Sequence, residues 1–327
     1  MIVALIRTLR AKSSDCRNSV PARSFSRQQG RIGMDIQTVG VVGLGNMGLG
    51  MAATLVRNGF RVIGTDVNAA RGAAAEAAGV RFIPAPAEVL CGADALVVSL
   101  PLARDVEAVV TAEGGLLARR DRKVVVIDTS TSDPQTTRRL AARLAKAGHA
   151  LLDAPVSGGP SGAAEGTLTM MIGGDEADYA LARPVLQAMS ARAPHVGPSG
   201  AGNIVKLVNN LLVAAHLVTT GEAMRLSEAA GLSAEDAAAI VNTATGRSAV
   251  SEVMLPRWVL PGTFDSGFSA GLMRKDVRLA LDLAAKTGTA LPLSAHVGRI
   301  WEEARARIPD TADFTRMADY RITEGDA

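Results

Sequence analysis

The chain has 327 residues, a length that predicts about two domains, and its composition of 48% hydrophobic but only 3% aromatic residues predicts cores built from aliphatic side chains. Charged residues at 20%, with ordinary numbers of glycine and proline, exclude long disorder, and no apolar run approaches the ~20 residues that a membrane helix needs, so a soluble globular protein is expected. The net charge of +3 arises in the first 33 residues, which carry +6, and the −3 left for the rest excludes a basic surface suited to nucleic acid.

Residues 1–35 are predicted to be a basic tail that is disordered or lies outside the native chain. Its first 33 residues hold seven Lys or Arg and a single acid, Asp15, which is the acid-poor composition of an organellar presequence. Alternatively, the natural start is Met34, four residues before the first predicted strand. The absence of an apolar helical face favours this second interpretation. We therefore expect a cytoplasmic protein, with the mitochondrial matrix as the alternative if the tail is a genuine presequence.

After the tail, short β-branched runs alternate with alanine-rich helical stretches. The predicted strands are Thr38–Val42, Arg61–Thr65, 95–99, 124–127, 150–152 and 169–172. The predicted helices between them are 46–58, an Ala-rich segment ending at Gly79, 105–111, 135–147 and 176–190. Strands separated by helices of this length indicate βαβ crossovers and a mainly parallel sheet. Residues 36–198 are therefore predicted to form a Rossmann-type, dinucleotide-binding domain.

The pattern changes after residue 198. A single helical pattern runs through residues 203–231, longer than the usual 10–14 residues of a helix. Beyond it we find no convincing strand, only Ala- and Leu-rich helices and loops with prolines. Residues 199–327 are predicted to be an all-α domain that includes the interdomain helix. The expected fold class is α/β, with a Rossmann-type N-terminal domain joined by a long helix to an all-α C-terminal domain.

The first strand and the first helix are joined by a run that matches G-x-G-x-x-G, namely Gly43, Leu44, Gly45, Asn46, Met47 and Gly48. The motif alone is weak evidence, but its position between a strand and a helix makes it specific for a dinucleotide. Gly43 permits the tight turn, Gly45 lets the backbone approach a pyrophosphate, and Gly48 lets the helix pack on the strand.

Asp66 closes the second strand, 23 positions after Gly43. An acid at this place binds the ribose hydroxyls of NAD and repels the 2′-phosphate of NADP, so NAD is the expected cofactor and NADP is disfavoured. Arg71 lies close enough in the sequence to weaken that preference.

A glycine-rich loop follows the strand at 150–152. Small residues there expose backbone N–H groups at Gly158 and Gly159, and Ser157 adds a hydroxyl, so the loop can hold a carboxylate. Taken alone, such a loop is more often structural.

Lys206 and Asn210 lie four residues apart at the start of the long helix and therefore share one face. The residues around them are mostly apolar. Lys206 consequently faces either solvent, as most single helix lysines do, or a cleft.

Four motifs in order carry a resemblance to a known family: GLGNMG from Gly43, DAPVSGG from Asp153, GAGNIVKLVNN from Gly200, and the pair Lys275-Asp276. From about Val39 to about Ile322 the chain resembles the β-hydroxyacid dehydrogenases, of the 3-hydroxyisobutyrate dehydrogenase and tartronate semialdehyde reductase type. The resemblance implies hydride transfer between NAD and a small hydroxy-carboxylic acid, in a cleft between the two domains. It also implies subunits that pair through the helical part, as a homodimer or homotetramer.

The same resemblance assigns roles to individual residues. Ser157, Gly158 and Gly159 would hold the substrate carboxylate, while Lys206 and Asn210 would meet the reacting oxygen. The residues expected to line the cofactor are Leu100, Pro101, Thr131 and Lys275. The stretch 243–248 departs from any one characterised member, which leaves the identity of the acid open.

Lys206 is expected to act as a general acid–base. Burial and the positive charge of the nicotinamide ring would disfavour its ammonium form, so that it can accept the hydroxyl proton. Two other functions remain open: an imine reductase-like enzyme, whose known members generally lack this lysine, and a non-catalytic nucleotide-binding module. We expect no metal, since the four histidines and two cysteines lack ligand spacing.

Overall fold

The computed structural model describes residues 36–112 and 115–321. The predicted tail, residues 1–35, lies outside the described residues. The chain divides into two compact units, one ending at Val205 and the other beginning at Lys206. The predicted domain limit between residues 198 and 199 stays a prediction.

The first unit contains an eight-stranded sheet. Its strands are β1 (Thr38–Val42), β2 (Arg61–Thr65), β3 (Arg81–Phe82), β4 (Ala95–Val98), β5 (Val125–Asp128), β6 (Ala150–Asp153), β9 (Ile172–Gly173) and β11 (His195–Gly197). They lie in the order β3-β2-β1-β4-β5-β6-β9-β11, and the first six are parallel. A smaller sheet joins β7 (Val156–Ser157), β8 (Leu168–Met170) and β10 (Ser190–Arg192). The strand order reverses between β1 and β4, which is where doubly wound folds bind ligands.

The α-helices in the described part of this unit are α1 (Asn46–Arg57), α2 (Arg71–Ala77), α3 (Pro86–Gly92), α4 (Ala103–Val110), α5 (Pro134–Lys146), α6 (Gly159–Glu165) and α7 (Glu176–Met189). Helices cover both faces of the large sheet, so its strands are buried on both sides and are almost wholly aliphatic. Successive residues of β1 alternate accordingly, with Val39 and Val41 in one core and Val42 in the other.

The mainly parallel sheet with βαβ crossovers that the sequence predicts is confirmed, and one predicted strand is wrong. The run 169–172, predicted as one strand, is divided between β8 in the smaller sheet and β9 in the larger one. Met171 lies at the division, and its N–H donates to the Pro155 carbonyl at 3.0 Å, one position beyond the antiparallel pairing of Val156 in β7 with Met170 in β8. No glycine or proline marks this change of sheet in the sequence.

The second unit is helical. The long helix α8 (Ala201–Ala229) begins in the first unit and continues through the second, followed by α9 (Ala234–Val241), a π-helix (Val250–Val259), α10 (Ala270–Thr287) and α11 (Pro292–Glu303). Among residues 206–321 no strand occurs beyond one isolated bridge between Ser269 and Asp313, in agreement with the predicted all-α part. Its core surrounds the fully buried Trp301, whose indole N–H donates to the Ala214 carbonyl at 3.1 Å.

By length and composition alone, α8 could cross a membrane, since its most apolar 18-residue window has a mean hydropathy of 1.3. One side of this helix nevertheless packs within the protein. Leu207, Ala214 and Leu217 are buried along one side, and Ala214 and Leu217 belong to the core of the second unit.

His149, just before β6, makes the stability of the first unit pH-dependent. The ring is buried, its Nδ1 accepts the Val124 N–H at 3.2 Å, and its Nε2 donates to the Arg119 carbonyl at 3.3 Å. Burial lowers the pKa of His149, and the Arg119 carbonyl only partly opposes this. The unfolded chain therefore binds a proton first as pH falls below about 6.5, so this contribution to stability is present above that pH and is lost below it.

We expect His149→Gln to remove this part of the pH dependence, because glutamine also offers an acceptor and a donor but does not titrate. The measurement is the free energy of unfolding by urea between pH 5 and pH 8 for both proteins. Parallel pH curves for parent and variant would contradict the assignment.

Candidate active site

The glycine loop lies at the carboxyl end of β1, at the reversal of strand order. Gly43 has a φ of +91°, and a Cβ there would lie 2.3 Å from the Ser99 carbonyl oxygen. A Cβ on Gly48 would lie 1.8 Å from the Gly43 carbonyl oxygen. Any side chain at either position would force the backbone apart, so glycine is needed here by the fold itself.

Gly45 differs from these two, because a Cβ built there meets nothing within 4 Å. Space in front of the first turn of α1 is therefore open, and only a bound molecule would require glycine at this point. Helix α1 has 12 residues and its first N–H groups carry positive potential. Leu44, Asn46 and Met47 complete the loop, and the residues present fit the pyrophosphate of a dinucleotide.

Asp66 follows β2 and faces this loop. Its Oδ2 accepts the Leu44 N–H at 2.7 Å, and its Oδ1 accepts the Asn68 N–H at 2.8 Å. These two bonds fix the half-buried carboxylate, while each oxygen keeps a further acceptor site for a ribose hydroxyl.

The other residues predicted to line the cofactor follow neighbouring strands. Leu100 and Pro101 come after β4, and the Leu100 N–H donates to the Ser130 hydroxyl at 3.0 Å. Thr131, next to Ser130, comes after β5. The carboxyl ends of parallel strands meet at one edge of the sheet, so β1, β2, β4 and β5 carry these residues to the same edge.

The predicted carboxylate loop follows β6 at this edge. Ser157 is half-buried, and Gly158 and Gly159 have φ angles of +126° and +63°, which favour glycine. The helix that follows, α6, packs closely on α1: the Thr54 hydroxyl donates to the Ala163 carbonyl at 2.9 Å. Helix α6, which begins in the carboxylate loop, is thus bonded to α1, which begins in the glycine motif.

Lys206 and Asn210 form a polar cluster with Asp276 and Lys275 of α10, in which all but the half-buried Lys275 are buried. The exposed fractions are 8% for Lys206, 4% for Asn210 and 1% for Asp276. The Asn210 Nδ2 donates to Asp276 Oδ2 at 2.6 Å, and Lys275 Nζ lies 3.2 Å from Asp276 Oδ1. Lys206 is therefore not the solvated surface lysine that its position on a helix would most often indicate.

The cluster changes the protonation of Lys206. Burial lowers the pKa of Lys206, the nearby Asp276 carboxylate raises it, and Lys275 lowers it, with burial the largest effect. A lysine in this environment can hold or release a proton closer to neutral pH than an exposed one. Asp276 limits the shift and orients the Asn210 amide.

Asp276 contacts both Asn210 and Lys275 in this cluster, although the sequence alone indicates a role only for Lys275 of the pair. The feature that indicates Asp276 is an acidic residue on a helix face whose other residues are buried. Among the described residues, no group of three or more His, Cys, Asp or Glu could hold a metal ion.

Two family models match the chain. That of the NAD-binding domain of 6-phosphogluconate dehydrogenase matches residues 38–197. That of the NAD-binding region of NADP-dependent 3-hydroxyisobutyrate dehydrogenase matches residues 200–321.

Relatives and solved structures match over most of their length. The 2-(hydroxymethyl)glutarate dehydrogenase of Eubacterium barkeri is 37% identical over 268 residues, covering 82% of this chain and 89% of that protein. The structure of Mycobacterium tuberculosis 3-hydroxyisobutyrate dehydrogenase with L-serine has a TM-score of 0.79 at 36% identity, covering 87% of this chain and 98% of that one. The structure of Psf3 in complex with NADP⁺ and 2-OPP has a TM-score of 0.75 at 26% identity, covering 86% and 98%.

Proposed function

The chain belongs to the β-hydroxyacid dehydrogenase family and is an NAD(P)-dependent hydroxyacid dehydrogenase, and on that premise we propose that it moves a hydride between NAD(H) and a small 3-hydroxy acid or its semialdehyde, with Lys206 as general acid–base. The observation that carries the proposal is the cluster of the buried Lys206, Asn210 and Asp276 with the half-buried Lys275. A non-catalytic nucleotide-binding module has no need of a buried lysine beside a buried carboxylate, because burying such charges costs stability.

In the oxidation direction, Lys206 accepts the proton of the substrate hydroxyl as the C–H bond on the same carbon breaks and the C=O bond forms. Bound NAD supplies the hydride acceptor. Asn210, oriented by Asp276, donates its second amide hydrogen to the reacting oxygen and does not titrate. In the reduction direction, the Lys206 ammonium returns the proton to the oxygen.

The substrate class follows from what the relatives' names share. 3-Hydroxyisobutyrate, 2-(hydroxymethyl)glutarate and L-serine all carry a CH₂OH group on the carbon that bears the carboxylate. We propose that Ser157, Gly158 and Gly159 hold this carboxylate through backbone N–H groups and the serine hydroxyl. These acids differ in the third substituent on that carbon. A panel of acids that varies only this substituent therefore identifies the substrate, with turnover followed as NADH absorbance at 340 nm. A panel without turnover would contradict the proposal.

We propose NAD as the cofactor in preference to NADP, because the fixed Asp66 carboxylate would repel a 2′-phosphate. Asp66→Ala is expected to narrow the difference in Kd between NADH and NADPH, measured by fluorescence titration. Asn68→Ala serves as the control, since this substitution leaves the backbone N–H that binds Asp66 in place. Equal or tighter binding of NADPH by the parent would contradict the preference.

An imine reductase-like activity is the second candidate function. It is disfavoured by Lys275, whose ammonium group lies 3.2 Å from Asp276 Oδ1 and would repel the positive charge of an iminium ion in the same cluster. Turnover of cyclic imines added to the panel with NADPH tests this activity.

We further propose that the protein forms a homodimer or homotetramer. We propose the cytoplasm as its location, with the mitochondrial matrix as the alternative, since the relatives include both bacterial and mitochondrial proteins.

A further inference from the structure

The start of α8 is held by a second buried polar network, distinct from the Lys206 cluster. We propose that Asp153 and Asn203 are positioning residues for the reaction, because they fix the first turn of the helix that carries Lys206 one turn further on. This inference rests on the proposed function, in which Lys206 is the acid–base group.

Asp153, the last residue of β6, holds the helix start through both carboxylate oxygens. Oδ1 accepts the Gly200 N–H at 2.8 Å and Oδ2 accepts the Asn203 N–H at 2.9 Å, and the residue has no exposed surface. Burial raises the pKa of Asp153, and these two hydrogen bonds oppose the rise. Two N–H groups that α8 cannot satisfy internally are thereby paired with a carboxylate on the central sheet.

The first turn of α8 lies so close to the backbone at Met171 and Asp153 that Gly202 has no room for a side chain. A Cβ at Gly202 would lie 2.2 Å from the Met171 carbonyl oxygen and 2.7 Å from the Asp153 carbonyl oxygen. A Cβ at Gly173 would lie 2.6 Å from Asp153 Oδ1. Backbone on several sides therefore leaves the first turn of α8 little freedom to shift.

Asn203 ties the same turn to two further segments. Its Oδ1 accepts the Ser132 N–H at 2.8 Å, and its Nδ2 donates to the Thr137 hydroxyl at 3.1 Å. Ser132 adjoins Thr131, which is expected to line the cofactor, and Asp153 begins the segment that leads to Ser157. One turn of helix is thus bonded to the segments that carry both sets of candidate residues.

Ordinary helix capping does not require this arrangement. The caps of α7 and α9 are Asp175 and Ser233, which lie beside their own helices and bind N–H groups two or three residues away. Asp153 instead reaches α8 from a strand 47 to 50 residues earlier in the chain. Hydride and proton transfer depend on placement, and a misplacement of about 1 Å can cost roughly 10²-fold in rate.

Asp153→Asn tests the role, because it keeps the shape but turns one acceptor into a donor facing an N–H group. The matched control is Asp175→Asn, which alters a carboxylate that accepts two N–H groups at the start of α7, a helix without candidate site residues. The assay is a stopped-flow single turnover with NAD and the best acid of the panel. Its amplitude reports the fraction of folded enzyme, and its rate constant reports placement.

For Asp153→Asn we expect the rate constant to fall by about 10²-fold with the amplitude retained. Hydrogen exchange should rise at the amides of residues 200–206. Asp175→Asn should leave both the rate constant and those amides unchanged. If Asp153→Asn does not fold, Thr137→Val gives a milder test: it removes the acceptor of Asn203 Nδ2 and, besides that, only the long 3.4 Å bond from the Thr137 hydroxyl to the Asp133 carbonyl. The inference is overturned if the variant that folds shows unchanged hydrogen exchange at residues 200–206 and an unchanged rate constant.

Lys206→Ala in the same assay separates this inference from the proposed function. If Lys206→Ala keeps its rate constant, the acid–base assignment fails whatever Asp153→Asn does. If Lys206→Ala loses rate while Asp153→Asn keeps it, only the positioning role fails.

Discussion

Lys206→Ala is expected to lower turnover by roughly 10²–10⁴-fold, the usual contribution of one positioned general acid–base. The reason is that the amine proposed to accept the proton of the substrate hydroxyl is then removed, while Asp276 stays bonded to Asn210 and paired with Lys275. The Kd for NAD should stay unchanged, because the glycine loop at residues 43–48 carries the pyrophosphate site. The measurements are kcat on the best acid of the panel and cofactor binding by fluorescence titration.

Lys206→Arg should not restore turnover, since a guanidinium stays protonated near neutral pH and cannot serve as a base. Lys146→Ala, at an exposed lysine in the last turn of α5, is the matched control and should behave like the parent. Near-full turnover in Lys206→Ala would show that another group moves the proton.

Gly45→Ala is expected to weaken NAD binding by roughly 10–10²-fold while leaving the melting temperature unchanged. Each charge-assisted hydrogen bond that the added methyl group displaces contributes about 1.5–3 kcal/mol, and about 1.4 kcal/mol corresponds to a tenfold change in Kd. Stability should not change, because a Cβ at this position meets nothing within 4 Å in the protein itself.

Gly48→Ala in the same loop gives the opposite result and serves as the matched comparison. Its Cβ would lie 1.8 Å from the Gly43 carbonyl oxygen, so the melting temperature should fall before any cofactor is added. If Gly45→Ala binds NADH as the parent does, the open space in front of α1 does not receive the pyrophosphate.

The elements at the dinucleotide motif could be predicted from the sequence almost to the residue. The predicted strands Thr38–Val42 and Arg61–Thr65 have the observed bounds, and the helix predicted over residues 46–58 ends one residue earlier. Here the local signals agree: aliphatic runs form strands, and glycines mark the turn between strand and helix. The long helix, predicted over residues 203–231, has the predicted length of 29 residues but begins and ends two residues earlier.

Features that depend on distant contacts could not be predicted in this way. The division of residues 169–172 between two sheets depends on which strands lie alongside, and no local residue marks it. The partners of Asn210 and Asn203 are similarly remote, at Asp276 and Asp153. Sequence spacing places Lys206 and Asn210 on one helix face, but it cannot show that a buried carboxylate from another helix meets that face.

The pH dependence of kcat/KM for oxidation of the best acid in the panel, measured for the parent and for Lys206→Ala, tests the central claim most directly. Burial lowers the pKa of Lys206, so the parent should gain activity with rising pH through a midpoint below the ordinary lysine value. That limb should be absent from the residual activity of Lys206→Ala. The same limb at the same midpoint in both proteins would contradict Lys206 as the acid–base group.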